Sequence, residues 1–248
     1  MAHDTDIAVS VRDVSKSFGD HEVLRGVSMN VKSGTTAVVM GGSGSGKSVL
    51  VKTIVRLLKP DRGEVWIRGE RVDDLDDDAL DRVRLSIGYL FQGGALFDSM
   101  SVFENLNFIL DRHTRLNRRL RAEAVMETLE WVNLPEHAGK YPSELSGGQR
   151  KRAALARAII LKPDVLFYDE PTTGLDPVSV GVVSELIARL RDDRGISSIA
   201  ITHDVLCAEI IADDVFFLFD GELVVEGTLD EVSRSPIAHV SNFFRQAR

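Results

Sequence analysis

TAVVMGGSGSGKS, residues 36–48, is an apolar run that breaks into glycine and serine and ends in Lys-Ser. TAVVM shows no polar–apolar alternation, which predicts a strand covered on both faces, the habit of a parallel sheet. The glycines after it let the backbone curl with its N–H groups inward, and a helix opening at Lys47 adds positive potential at its N-terminus. Gly41, Gly42, Ser43, Gly44, Ser45, Gly46, Lys47, Ser48 and Val49 are therefore candidate phosphate-binding residues. Lys47 stands where it would pair with the β- and γ-phosphates of a nucleotide, and Ser48 where it would ligate Mg²⁺. A glycine- and serine-rich surface turn has the same composition, but not a buried strand before it and a helix after it.

Outward from this point the pattern repeats. DVLFYD (164–169), SIAIT (198–202) and VFFLF (215–219) are further apolar runs, and helical periodicity covers 47–58, 120–132, 149–161 and 177–191. Strands alternating with helices predict an α/β fold with a mostly parallel core sheet. IAVSVRD (7–13) and VWIR (65–68) alternate instead, so the early strands are expected to form a separate N-terminal antiparallel β layer. Residues 95–160 carry helical patterns with hardly any strand signal. They are expected to be an inserted helical lobe, with 1–94 and 161–248 forming the α/β core of one unit spanning 1–248.

The bulk properties narrow the function. With 44% hydrophobic and 27% charged residues the chain is that of an ordinary globular protein, and a net charge of −8 leaves no basic face for nucleic acid. The arginine-rich run RHTRLNRRLR (112–121) is expected to be a solvated helix face. The single cysteine, Cys207, excludes an internal disulfide and reads as a small buried hydrophobe. MAHDTDIAVSV has no secretory pattern, and no run of about 18 apolar residues is free of charge. A cytoplasmic protein is expected, with membrane association coming through a partner.

Three more segments carry chemistry. VLFYDE ends a buried strand in Asp169, placed to hold Mg²⁺, and Glu170, placed to polarise an attacking water. His203 follows the strand SIAIT at the edge where ligands bind in open α/β sheets, a candidate γ-phosphate contact. LSGGQ (145–149) sets Ser146, Gly147, Gly148 and Gln149 at a second anion-binding helix start. One nucleotide cannot easily use two such helix ends on one chain; two chains packed head to tail can, each closing over the other's ATP.

Phe18, the phosphate loop, Gln92, LSGGQ, VLFYDE, TGLDP and His203 stand in the order and spacing of an ABC transporter ATPase. The chain resembles that family from about residue 7 to 230. The resemblance implies that Phe18 stacks on adenine and that Gln92 links the metal site to a membrane partner. Asp176 would be the interfacial aspartate of a nucleotide-sandwiched homodimer; locally, Asp176-Pro177 also reads as a helix N-cap followed by proline. The catalytic set it implies is Glu170, His203, Lys47 and Gln92, with ATP and Mg²⁺ as cofactors and Ser48, Gln92 and Asp169 at the metal.

LFQGGALFDSMSVFEN (90–105) spends much apolar surface on an expected loop, with Ser101 and Glu104 as a capping box starting a helix at Val102. In the family this segment lines the groove for an integral-membrane permease. Leu96, Phe97 and Phe103 stay open between partner contact and the core of the helical lobe. Its wording, and that of DEPTTGLDPVSVGVV, resembles the Mla/MCE group of phospholipid-transport ATPases. That implies an MCE-domain lipid-binding subunit in the same complex and a peripheral place on the cytoplasmic face of the inner membrane. The C-terminal SPIAHVSNFFRQAR is expected to add no regulatory domain. An ATPase for a small-solute importer, or a non-transport ATPase of cell division or iron–sulfur assembly, would share the same motifs.

Overall fold

The computed structural model describes residues 6–246. The chain begins with two long strands, β1 (Ile7–Phe18) and β2 (His21–Lys32), joined by a tight turn, then β3 (Thr36–Met40), α1 (Lys47–Ile54), β4 (Arg62–Ile67) and β5 (Glu70–Arg71). Next come α2 (Asp77–Leu85), β6 (Ile87–Leu90), α3 (Val102–His113), α4 (Arg118–Trp131) and α5 (Gly147–Ile159), with short 3₁₀ turns at 135–137 and 142–144. The remainder is β7 (Val165–Asp169), α6 (Pro177–Arg194), β8 (Ser197–Ile201), α7 (Val205–Ile211), β9 (Asp214–Phe219), β10 (Glu222–Gly227), α8 (Leu229–Ser233) and α9 (Ala238–Gln246).

Two sheets result. The first, in the order β2-β1-β4-β5, is antiparallel throughout, as expected from the alternating early strands. The second runs β10-β9-β3-β8-β7-β6; its pairs are parallel except β10 against β9. All five residues of each of β3, β7 and β8 are buried, which is why these strands carry apolar runs without alternation.

Side-chain alternation along these strands divides the interior in two. Val38 and Met40 of β3, Leu166 and Tyr168 of β7, Ala200 of β8, and Val215 and Phe217 of β9 face a core shared with α3 to α7. Their neighbours Ala37, Val39, Val165, Phe167, Ile199, Ile201, Phe216 and Leu218 face a second core, shared with α1 and the antiparallel sheet. The mixed sheet is thus clamped between layers, and its strand ends are the natural place for a rigid site.

Helix ends follow local chemistry. α3 opens with the expected capping box: the Ser101 hydroxyl accepts the Glu104 N–H at 3.2 Å, and Glu104 accepts the Ser101 N–H at 2.8 Å. Asp176 caps α6 through the N–H groups of Val178 and Ser179, with Pro177 first in the helix, and α6 ends at left-handed Gly195. α1 stops at Ile54, short of the expected 58. Arg56 turns left-handed, and the N–H groups of Leu57 and Leu58 both return to the Lys52 carbonyl ahead of Pro60. Among the described residues no helix is long and apolar enough to cross a membrane.

Candidate functional site

The loop between β3 and α1 curls because three of its glycines hold positive φ: Gly41 at 151°, Gly44 at 78° and Gly46 at 104°. A Cβ on Gly41 would stand 2.2 Å from the Leu218 carbonyl oxygen, so this turn admits no side chain there. Gly46 caps α1 without a side chain, leaving the first N–H groups of the helix directed at the loop. Lys47 is buried; its Nζ donates to the carbonyls of Gly41 at 2.8 Å and Gly42 at 2.9 Å. Burial lowers its pKa, against the opposing pull of Glu170 and Asp169. Ser45 Oγ is buried inside the loop with no hydrogen-bond partner, on the side of Gly41, where a Cβ would stand 2.9 Å from it.

β7 brings Asp169 to the same edge. Ser48 Oγ and the Tyr89 hydroxyl each lie 3.4 Å from one of its carboxylate oxygens, long contacts that leave both lone-pair sets underused. Burial raises the Asp169 pKa, with Lys52 and the Ser48 contact working against it, so a bound cation would favour its charged form. Among the described residues no group of three or more His, Cys, Asp or Glu side chains could hold a metal ion alone. A hydroxyl, one carboxylate and substrate phosphates instead suit Mg²⁺, which keeps much of its water. Ser48 and Asp169 fit that ion.

Glu170 sits in the left-handed region at φ 51°, uncommon for a residue with a side chain. Its carboxylate is met by His203 Nδ1 at 2.9 Å and by the Thr173 hydroxyl at 2.9 Å. Gln92, Glu170 and His203 wall one cavity of about 630 Å³ together with the loop residues Gly41–Gly44 and Gly46–Val49. Groups from four separate segments of the sequence therefore meet around a volume fit for a nucleotide.

Not every candidate lies there. Phe18 is 49% exposed at the β1–β2 turn and is not part of the cavity wall; the Lys16 ammonium lies 5.7 Å from its ring centre. Ser146 and Gln149 form a capping box that opens α5, and Gln149 Nε2 lies 2.9 Å from His137 Nε2. Gly147 lines a different, smaller cavity, with Gln92–Gly94, Lys151 and Gly174. Gly148 has a packing role too, since a Cβ there would meet the Ser179 hydroxyl at 2.8 Å. Asp176 is exposed and bonded to Ser179 Oγ at 2.6 Å. The LSGGQ end of α5 is thus absent from the phosphate-loop cavity of its own chain.

The cavity also has walls that the sequence did not announce: Val23 of β2, and Phe243 and Gln246 of α9. Tyr89 was missed as well. Its position three residues before Gln92, on a strand beside β7, was the available signal.

A second hollow of about 560 Å³ lies nearby, walled by α2, β6, the end of α3 and α5, and includes Arg82, Tyr89, Gly94, Arg112 and Ala158. Of the oily segment, Leu96 and Phe103 pack against the core beneath the helices, and Val102 is buried. Phe97 is 39% exposed, edge-on to Phe108 and under the Arg157 guanidinium at 5.0 Å. The open question at these positions resolves residue by residue: two inward, Phe97 outward.

Known proteins share this architecture. A profile of the ABC transporter family matches residues 24–173. The chain is 39% identical over 237 residues to the intermembrane phospholipid transport system ATP-binding protein MlaF of Haemophilus influenzae, covering 96% of this chain and 90% of that protein. It is 36% identical over 242 residues to the probable ribonucleotide transport ATP-binding protein mkl of Mycobacterium leprae, covering 98% and 70%. A solved dimeric post-hydrolysis state of the ATP-binding cassette MJ0796, bound to ADP and Pi, superposes with a TM-score of 0.82 at 33% identity, covering 89% of this chain and 98% of that one. The fold, the phosphate-loop cavity and these relatives agree, and the chain belongs to the ABC transporter family as an ATP-binding subunit.

Proposed function

We propose that this chain is the ATP-hydrolysing subunit of a transporter that moves phospholipid between membranes, working as a homodimer on the cytoplasmic face of the inner membrane. The observation that supports ATP chemistry is the convergence of the phosphate loop, Glu170, His203 and Gln92 on one cavity, with Asp169 behind Ser48 at 3.4 Å. Lys47 and the loop N–H groups bind the phosphates. Mg²⁺ on Ser48 and Asp169, with Gln92 beside it, would offset charge on the β- and γ-phosphates. Glu170 takes the proton of the attacking water, and His203, bonded to it at 2.9 Å, orients the carboxylate and faces the γ-phosphate. Phe18, exposed at the β1–β2 turn, stacks on the base.

Ser146 to Gln149 and Asp176 act in trans. Two copies packed head to tail bring each LSGGQ to the partner's phosphates, so hydrolysis at the shared face separates the subunits. Residues 95–160 serve as the helical arm of a single unit that carries LSGGQ. The hollow beside Gly94 receives a segment of an integral-membrane permease, with contacts extending from 90–105 onto α2 and α5. The phospholipid cargo and an MCE-domain subunit rest on the likeness to the MlaF protein. A second reading, the same ATPase serving another cargo, is favoured by the ribonucleotide-transport name of the mycobacterial relative.

Affinity purification of the tagged chain from detergent-solubilised membranes tests this. A multi-pass permease with an MCE-domain protein and co-purifying phospholipid is the expected result. A permease with a solute-binding protein would overturn the cargo, and a chain recovered with no membrane partner would overturn transport.

A further inference from the structure

Lys151, on the first turns of α5, is 8% exposed. Its Nζ donates to the Gln92 carbonyl at 2.6 Å and to the Glu170 carbonyl at 3.0 Å, partners 59 and 19 residues away. A lysine ammonium is seldom buried without such acceptors, because desolvation of the charge is costly. Burial lowers its pKa, and the nearby Glu170 and Asp169 act in the opposite direction.

Three features make the arrangement more than a filled gap. Glu170 is held at φ 51°, and a residue persists there only when its surroundings fix it; its carbonyl is fixed by Lys151 and its N–H by the Ile201 carbonyl at 2.9 Å. Gln92 sits in a turn closed by the Gly94 N–H on the Phe91 carbonyl at 2.8 Å, with Gly94 left-handed at φ 79°, and Lys151 holds that turn from another element through the Gln92 carbonyl. Finally, the cavity of about 250 Å³ beside Lys151 is bounded by Gln92–Gly94, Gly147 and Thr173–Leu175, so the lysine stands at the meeting point of these three segments.

We propose that Lys151 is a positioning residue for ATP hydrolysis: one ammonium ties the α5 helix that begins at LSGGQ to the backbones of both Gln92 and Glu170. The inference rests on the ATPase reading above. When the partner subunit's nucleotide engages the start of α5, a displacement of that helix is passed through Nζ to the candidate base and to the residue beside the metal. Lys151 is not part of the phosphate-loop cavity wall, so it acts through these backbones.

The test uses the full chain with Lys151→Met, Lys151→Arg and Glu170→Gln. Lys151→Met is expected to lower kcat by about 10- to 100-fold, the scale of a small displacement of reacting groups. KM, and the affinity for a fluorescent ATP analogue, stay within about threefold, since the phosphate loop is untouched. Amide hydrogen exchange over residues 91–96 is expected to quicken. Lys151→Arg, which keeps a cationic donor, should recover most of kcat. A kcat within twofold of the parent, or a parallel fall of kcat and nucleotide affinity, would overturn the proposal. Should Lys151→Met lose its cooperative melt, Lys151→Arg carries the test: kcat above about a tenth of the parent with unchanged affinity supports the tie, and a joint loss of both rejects it. Near-parental turnover in Glu170→Gln would instead overturn the reading beneath, and this inference with it.

Discussion

At the scale of the residue, Glu170 joins strain and chemistry. A left-handed non-glycine costs on the order of 1–3 kcal/mol and is retained where the geometry serves a purpose. Here it turns the carboxylate to His203 and Thr173 while the carbonyl faces Lys151. Glu170→Gln keeps the shape and removes the proposed base. ATP binding should hold while hydrolysis falls by about 10²–10⁴-fold, read by steady-state turnover against nucleotide titration. Asp169, Glu170, His203 and the loop stand out as candidates because each ends or closely follows a buried strand, where an apolar run gives way to polar groups. Val23, Phe243 and Gln246 were not. They reach the same cavity from a hairpin and a C-terminal helix, and nothing in their immediate sequence marks the approach. Lys151 was hidden for a related reason: a lysine in an amphipathic helix looks solvated until its two distant carbonyls are known.

At the scale of the element, strands β3, β7, β8 and β9 were readable because both faces are buried along most of their length and each carries an uninterrupted apolar run. β10 (ELVVEG) lies at the sheet edge and is half exposed, and β6 is four residues long, so neither leaves a strong pattern. α2 starts in an acidic run that resembles a loop. The small β5 corner is held by polar bonds as well as by the buried Val72. Asp73 is buried; it accepts the Val65 N–H at 2.8 Å and is gripped by the Arg71 guanidinium at 2.9 Å. Burial alone would raise its pKa, but the Arg71 and Val65 hydrogen bonds outweigh it and hold the carboxyl below the usual range. Its folded pKa being depressed, its stabilisation is full above the ordinary aspartate pKa and is lost as pH falls through the folded value. Asp73→Asn should therefore melt earlier at pH 7, by about 1–2 kcal/mol. The gap from the parent should narrow steadily in melts taken from pH 5 downward. A gap that stays constant over that range would show that charge is not the cause.

At the scale of the whole molecule, the notable fact is a separation. The phosphate cavity lies at one end of the mixed sheet, while Ser146 and the exposed Asp176 stand apart from it on the same chain. Both are polar helix caps, and one chain gives them no anion to hold. Ser146→Arg places a bulky cation where the partner's nucleotide would dock. It should abolish hydrolysis while leaving ATP affinity of the monomer within about twofold, measured by titration at a concentration where dimers do not form. Equal loss of both would argue against a shared site. The proposed division of labour between chains is read from the two anion-binding helix starts, whereas the second hollow left no mark in the sequence, because its walls come from α2, β6, α3 and α5 together.

The lone Cys207 has a practical side. It is fully buried in α7, with its thiol pushed up by burial to about 11, so at neutral pH it is shielded and almost wholly protonated. Native chain should thus be inert to thiol-reactive dyes without any cysteine being removed. Val178, 77% exposed two residues beyond Asp176, is a free place to install one. A single fluorophore there would sit on the surface where two copies are expected to meet. It would let opening and closing be watched by light, in the otherwise unaltered protein, one turnover at a time.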